Sequence, residues 1–290
     1  MPELISNTIA AALAEAGGRL RAVGADSPEL DARVLLRQVT GHEDAWLIAN
    51  PDAEIDTTAL QGYAELLERR ERREPVSQIV GEREFWSRTF RVTGDVLTPR
   101  PDTETLIESV LSRIEDRDAP LRILDLGTGS GCIALTLLAE CPNATALAVD
   151  ASPAALEVAA FNAKSLGLSG RVEWRKTDWC DGIEGPFDVI VSNPPYIARY
   201  ELRHLDPEVR EFEPTMALDG GADGMAAYRR IIPSLKRLGT GKSIIAFELG
   251  QGQARGVAAL GRVAGFQIAD TDQDIARRAR VITLELTSES

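Results

Sequence analysis

At 290 residues, 44% of them hydrophobic and 27% charged, the chain has the make-up of an ordinary globular protein, with room for one large α/β domain and a smaller companion. A formal net charge of −13 argues against a fold that grips nucleic acid through a broad basic face, which takes several Lys or Arg contacts to phosphate. Cys132, Cys141 and Cys180, with His42 and His204 as the histidines, are too few and too scattered for a disulfide framework, a zinc site or a histidine-based triad.

Residues 1–80 read as a helical bundle. Ile9, Leu13, Ala16 and Leu20 recur at helical spacing. Ser27-Pro28-Glu29 is a helix start, with a capping side chain and proline at the first helical position. Leu30, Val34, Leu35 and Val39 form the apolar stripe that follows, and Gly41 ends it. Asp56 is placed to cap a further helix carrying Leu60, Tyr63, Leu66 and Leu67, which Pro75 terminates. The run Arg69-Arg70-Glu71-Arg72-Arg73 is broken by glutamate inside a helical pattern and reads as a solvated face. Met1 to Leu4 lack a basic stretch leading into an apolar core, and no window approaches ~20 uninterrupted apolar residues. A cytoplasmic location without a membrane span is therefore expected.

Between residues 81 and 104 the pattern changes. Phe85, Phe90, Val92, Val96 and Leu97, with Thr93-Gly94-Asp95 as the turn, suggest a β-hairpin. It leads into Thr98-Pro99-Arg100-Pro101-Asp102-Thr103-Glu104, stiffened by two prolines, a linker and a candidate wall of a site. Residues 105–290 then alternate strands and helices. The expected strands are 122–127, 145–150, 172–178, 187–193 and 243–249, with a last pair near 266–269 and 281–286. Helices are expected over 131–141, 153–166, 226–238 and 251–264. Such alternation implies a mostly parallel sheet covered on both faces, whose ligands bind beyond the carboxyl ends of the strands. The glycine-rich turn after the first of these strands, Asp150, Asp178 and Asn193 all fall at such ends.

That turn, Asp125-Leu126-Gly127-Thr128-Gly129-Ser130-Gly131, lets the backbone approach a ligand closely. The dinucleotide fingerprint wants its third glycine one position later, where Cys132 stands, and no Gly-Lys-Ser/Thr follows to make a P-loop. Asp125 ahead of the glycines suits a cationic ligand better than a pyrophosphate. S-adenosylmethionine, with a sulfonium and an ammonium, has the matching charge. Asp150, about 20 residues further on, is positioned to accept hydrogen bonds from ribose hydroxyls. Asp178-Trp179 offers a carboxylate for an adenine amino group and an indole for its face.

The apolar run Val189-Ile190-Val191-Ser192 ends in Asn193-Pro194-Pro195-Tyr196. An amide or aromatic amine nitrogen is a poor nucleophile because its lone pair is delocalised. The Asn193 side-chain oxygen and the Pro194 backbone oxygen can accept its N–H bonds and aim that lone pair, in a loop that the prolines pre-set. Tyr196 can pack on the planar acceptor. The tetrapeptide alone fits an amide or an adenine, and the glycine spacing disfavours a nicotinamide dehydrogenase.

With its flanks, Gly81-Glu82-Arg83-Glu84-Phe85-Trp86, Thr98 to Glu104, Val191 to Ile197 and Phe212-Glu213-Pro214, the chain resembles the PrmC/HemK family. These are class I, Rossmann-like S-adenosylmethionine-dependent methyltransferases with a small N-terminal all-helical domain and a β-hairpin linker. They methylate the glutamine amide nitrogen in the Gly-Gly-Gln motif of bacterial peptide chain release factors. The resemblance spans nearly the whole chain. It implies that Gly127, Thr128, Gly129, Ser130, Gly131, Asp150, Trp179 and Asn193 surround the methyl donor. It also implies that Asn193, Pro194, Pro195 and Tyr196 hold the glutamine, without a metal. Asp274 to Arg280 and Phe247-Glu248-Leu249-Gly250 depart from the family pattern, in places expected to lie away from the chemistry.

Overall fold

In the computed structural model, which describes residues 7–274 and 276–286, the chain divides into two compact units. The first takes the described residues up to Glu82 together with Asp206–Phe212. The second takes Arg83–Leu205 and the described residues from Glu213 onward. Met1 to Leu4 and Ile275, which entered the sequence reading, lie outside the described residues.

Helices α1 (Ile9–Ala22), α2 (Pro28–Thr40), α3 (Asp44–Ala49), α4 (Thr57–Glu71) and α5 (Val76–Val80) build the first unit. Asp56 caps α4, accepting from the amides of Thr58 at 2.9 Å and Ala59 at 3.0 Å. Gly41 closes α2 in the left-handed conformation at φ 70°. Tyr63 sits in the core with its hydroxyl donating to the Ala32 carbonyl at 2.9 Å, so its polar tip is satisfied inside.

Three details depart from the sequence reading. Ser27 makes no side-chain cap bond, and Pro28 alone opens α2. The buried face of α2 runs through Ala32, Leu35 and Leu36, the i, i+3, i+4 set that meets α1 and α4, and this turns Leu30 outward at 48% exposure. The basic run is no solvated face. Arg70 is 5% exposed, its Nε 2.7 Å from Asp31 Oδ2 and its Nη1 3.1 Å from Glu208 Oε1. Arg73 Nη2 donates to Glu208 Oε2 at 2.6 Å. Glu208 belongs to a short helix, Pro207–Phe212, whose last carbonyl accepts from Gln78 Nε2 at 3.0 Å. Charges buried this way need their partners, because a lone buried ion is strongly destabilising.

The second unit opens with the hairpin of β1 (Glu82–Phe85) and β2 (Arg88–Arg91). Its turn is at Trp86-Ser87, both at positive φ (50° and 55°), and not at Thr93-Gly94-Asp95. Two left-handed residues give the twist that a two-residue hairpin loop requires. Phe85 and Phe90 meet edge to face at 6.1 Å and are buried with α6 (Glu104–Arg113) and the helix that follows the glycine turn.

From there the chain runs β3 (Arg122–Leu126), α7 (Cys132–Glu140), β4 (Thr145–Asp150), α8 (Pro153–Ser165), β5 (Val172–Lys176) and β6 (Val189–Ser192). Counting Pro207–Phe212 as α9, there follow α10 (Thr215–Leu218), α11 (Ala226–Ile231), β7 (Ile244–Glu248), α12 (Ala254–Val263), β8 (Phe266–Gln273) and β9 (Ala279–Leu286). The helix expected over 226–238 changes to a 3-10 helix at Ile232–Arg237, where Pro233 has no N–H to continue the α ladder.

The sheet order is β5-β4-β3-β6-β7-β9-β8. The strands from β5 to β7 are parallel, and β9 runs antiparallel to both its neighbours. Alternate residues face opposite layers. Ile123, Ala148, Val189 and Val191 pack under α6 and α7, while Leu124, Leu126, Ile190, Ile245 and Phe247 pack under α11 and α12. From β3 the chain moves to β4 on one side, and from β6 to β7 on the other. Adjacent strands whose connections diverge leave a crevice at their carboxyl ends. The glycine turn leaves β3 and Asn193 leaves β6 at that crevice.

Candidate active site

A cavity of about 440 Å³ opens there, within the ~300–1,000 Å³ usual for small-molecule sites. Gly127, Thr128, Gly129 and Ser130 line it together with Asp150, Asp178, Trp179, Asn193 and Pro195. The hairpin-to-helix segment adds Pro99, Arg100 and Thr103, and α10 adds Met216 and Ala217.

Backbone bonds hold the glycine turn in shape. The amides of Gly127 and Thr128 both donate to the Val149 carbonyl at 2.9 Å, and the Gly131 amide donates to the Thr128 carbonyl at 2.9 Å. Gly127 needs to be glycine: its φ is +74°, and a Cβ there would stand 3.2 Å from the Trp179 ring. At Gly129 a Cβ would meet nothing within 4 Å, so the cradle is open on that side. Asp150 braces the turn, its Oδ2 accepting from the Gly129 amide and its Oδ1 from the Ser152 amide, each at 2.9 Å. One lone pair on each oxygen remains for a ligand.

Asp125 behaves otherwise than its position in the motif suggests. It is fully buried and not among the cavity-lining residues. Its Oδ2 accepts from the Thr128 hydroxyl at 2.7 Å and from the Ala134 amide at 3.3 Å, in the first turn of α7, while Oδ1 is left without a partner. Burial pushes its carboxyl up to about 7, the Thr128 and Ala134 bonds pulling against it. Asp125 is thus a brace between turn and helix rather than a counter-ion in the cavity. Asp178, expected free to take an amino group, bonds to Arg230 Nη1 at 2.7 Å, with both side chains half exposed.

In the tetrapeptide, Asn193 and Pro195 line the cavity, Pro194 is buried and Tyr196 is half-buried. Asn193 Nδ2 donates to Thr103 Oγ1 at 3.3 Å. The Tyr196 hydroxyl points away to Glu248, whose Oε1 accepts it at 3.3 Å. The Tyr196 carbonyl accepts from Gln253 Nε2 at 2.8 Å, which ties the loop to the start of α12. Arg280 Nη2 lies 2.8 Å from Asp102 Oδ2 and 3.0 Å from Asp274 Oδ2. Arg100, at the cavity wall, lies 2.6 Å from the buried Glu213.

Thr103, Glu248, Gln253 and Arg280 are therefore close to the site, although periodicity and motif reading passed over their roles. Glu248 touches Tyr196 and Arg280 touches Asp102, while neither Glu248 nor Arg280 lines the cavity itself. Cys132 lines the cavity, but burial pushes its thiol up to about 12, so it carries no thiolate at neutral pH.

Residues 11–81 match the PrmC N-terminal domain family, and residues 102–205 the methyltransferase small domain family. Among solved structures, the ribosomal protein L11 methylase of Lactobacillus delbrueckii subsp. bulgaricus aligns with a TM-score of 0.51 at 19% identity, covering 67% of this chain and 83% of that one. The hMettl16 catalytic domain, in complex with MAT2A 3'UTR hairpin 6, aligns with a TM-score of 0.57 at 18% identity, covering 69% and 76%. The second unit is a methyltransferase of the Rossmann-like class.

Full-length relatives narrow the class. The release factor glutamine methyltransferase of Caulobacter vibrioides is 41% identical over 276 residues, 95% of each chain. That of Cereibacter sphaeroides is 45% identical over 278 residues, 95% of this chain and 97% of its own. The chain belongs to the release factor glutamine methyltransferase family.

Proposed function

We propose that the protein methylates the side-chain amide nitrogen (N5) of the glutamine in the Gly-Gly-Gln motif of peptide chain release factors. S-adenosylmethionine is the donor and S-adenosylhomocysteine the product. The observation that carries this reading is that Gly127–Ser130 and Asn193–Pro195 face one cavity, in a chain with 41% identity to a release factor glutamine methyltransferase over 95% of its length. S-adenosylmethionine, when bound, supplies an electrophilic methyl group on a positively charged sulfur.

The residues present fit that donor. The open side of Gly129 admits a ligand against the backbone, with Gly127, Thr128, Ser130 and Gly131 shaping the turn. The spare lone pairs of Asp150 suit two ribose hydroxyls, and the Trp179 ring beside Gly127 suits an adenine face. On the other side, the Asn193 Oδ1 and the Pro194 carbonyl would accept the two N–H bonds of the glutamine amide. Pro195 walls the same pocket, and Tyr196 holds the loop from behind through Glu248. Most of the rate gain then comes from holding the nitrogen in line with the methyl group, without a metal or a nucleophilic side chain.

The partner is a protein, and no direct nucleic-acid contact is part of this reading. A translation factor as substrate also puts the activity in the cytoplasm. Among the described residues no helix is long and apolar enough to cross a membrane. A labelled-donor assay tests the proposal with four acceptors side by side: a release factor, the same factor with the motif glutamine replaced by alanine, duplex DNA and hairpin RNA. Label should enter the intact release factor alone. Label on either nucleic acid, or on the glutamine-less factor, would sink the proposal.

A further inference from the structure

Pro194 and Pro195 have no N–H, so the loop that carries Asn193 cannot be tied down by the amides of those two residues. It has to be held further along. Beyond the prolines the Ile197 amide donates to the Leu218 carbonyl at 3.1 Å, and the Ile197 carbonyl accepts from the Gly220 amide at 2.8 Å. One side chain adds to these backbone bonds. Gln253, the residue before α12, donates from Nε2 to the Tyr196 carbonyl at 2.8 Å and to the Gly224 carbonyl at 3.1 Å. Its Oε1 accepts from the Gly250 amide at 3.1 Å. A single amide thus joins the loop after β6, the turn before α11 and the chain just past β7.

A primary amide carries two N–H donors and an acceptor oxygen. At Gln253 the nitrogen has two carbonyls and the oxygen has an amide, which fixes its orientation. Turned over, it would set Oε1 against two carbonyl oxygens and Nε2 against an N–H. Main chain closes the space around it. A Cβ at Gly224 would overlap the Tyr196 carbonyl oxygen and Gln253 Nε2. One at Gly250 would stand 2.8 Å from Gln253 Oε1 and 2.9 Å from Tyr196 Cδ2. Glycine at both positions makes room for the Gln253 amide against the loop.

Gln253 is not among the cavity-lining residues, so any effect it has on the reaction must pass through the backbone it holds. Tyr196 stands three residues after Asn193, and the two residues between have φ locked by their rings. With those torsions fixed, a shift of the Tyr196 carbonyl is passed back along the loop to the Pro194 carbonyl. The Tyr196 side chain is held separately, by its hydroxyl bond to Glu248 at 3.3 Å.

We infer that Gln253 is a positioning residue for methyl transfer: by holding the Tyr196 carbonyl it sets where the Pro194 carbonyl and the Asn193 side chain stand against the acceptor nitrogen. The inference rests on the proposed role of Asn193 and Pro194 in holding that nitrogen.

The test compares kcat, release-factor KM and donor affinity by calorimetry for the wild type, Q253M, Q253E and N193A. Q253M has a similar length and removes both donors and the acceptor. Q253E keeps the acceptor for Gly250 but sets a carboxylate oxygen, which cannot donate, against two carbonyl oxygens. Q253M should lose about ten-fold in kcat and Q253E at least as much, with KM and donor affinity within about three-fold of wild type. A side chain that merely filled space would give the opposite order, with the isosteric Q253E close to wild type. If N193A is impaired while Q253M keeps wild-type kcat, or Q253E turns over faster than Q253M, the inference is overturned and the role of Asn193 stands. A fall in donor affinity equal to the fall in kcat also overturns it, since Gln253 then supports the fold at large. If N193A itself turns over normally, the role of the loop falls, and the inference falls with it. Should Q253E fail to fold, Q253M decides the matter, because the Gln253 side chain is only half-buried and the backbone bonds of Ile197 remain.

Discussion

Asp125, beneath the glycine turn, and Glu248, behind the Asn193 loop, are both buried carboxyls pushed up to about 7. Asp125 is held by a hydroxyl in the turn and a backbone amide of α7, so it joins two pieces of main chain. Glu248 accepts from the Tyr196 hydroxyl at 3.3 Å, so it joins side chains. The donor side of the cavity is thus built from backbone, with Asp150 as its outward-facing group. The acceptor side is built from the Asn193 side chain and the proline loop that carries it. Substitutions on the donor side should act on binding and stability, and those on the acceptor side on turnover.

The largest effect is expected on the acceptor side. Asn193→Ala removes one of the two acceptors for the substrate nitrogen and should lower kcat by roughly 10²-fold or more, about 3 kcal/mol of barrier, with donor affinity preserved. An equal loss in donor binding would erase the division between the two sides. Asp150→Ala should do the reverse, weakening donor affinity by roughly 10- to 100-fold through two lost hydrogen bonds. Calorimetry with unchanged affinity would remove Asp150 from the donor site.

The smallest effect is on stability. The folded Asp125 carboxyl is raised from 3.8 to about 7, so the folded state prefers it protonated. Its contribution is complete below the unfolded value, declines as the unfolded chain ionises, and is gone above about 7. Asn at this position is neutral at every pH. The difference in Tm, wild type minus Asp125→Asn, should therefore fall between about pH 4 and about pH 7. A difference that stays flat or grows over that interval contradicts the brace described for Asp125.

The sheet was readable because buried parallel strands are continuous apolar runs between turn signals. Val189 to Ser192 and Thr145 to Asp150 are such runs, and the latter has the bounds expected of it. The hairpin turn was misplaced because Thr93-Gly94-Asp95 has turn composition, whereas Trp86-Ser87 takes positive φ without it. Arg70 looked solvated because its partner Glu208 lies 138 residues away in sequence. The same distance problem hid Thr103, 90 residues from Asn193, and Glu248, 52 from Tyr196. Motifs mark the backbone turns and the residues at strand ends. They leave unmarked the polar groups that hold those residues from behind, whose pairing depends on the whole fold.

The central claim concerns one nitrogen atom in a partner protein, so its most direct test is to locate the methyl group. A release factor incubated with the enzyme and S-adenosylmethionine is digested, and the peptide containing Gly-Gly-Gln is fragmented in a mass spectrometer. The account predicts a single added methyl group on the glutamine side-chain amide. A methyl group on any other atom of that peptide, or none with a donor-competent enzyme, would contradict it.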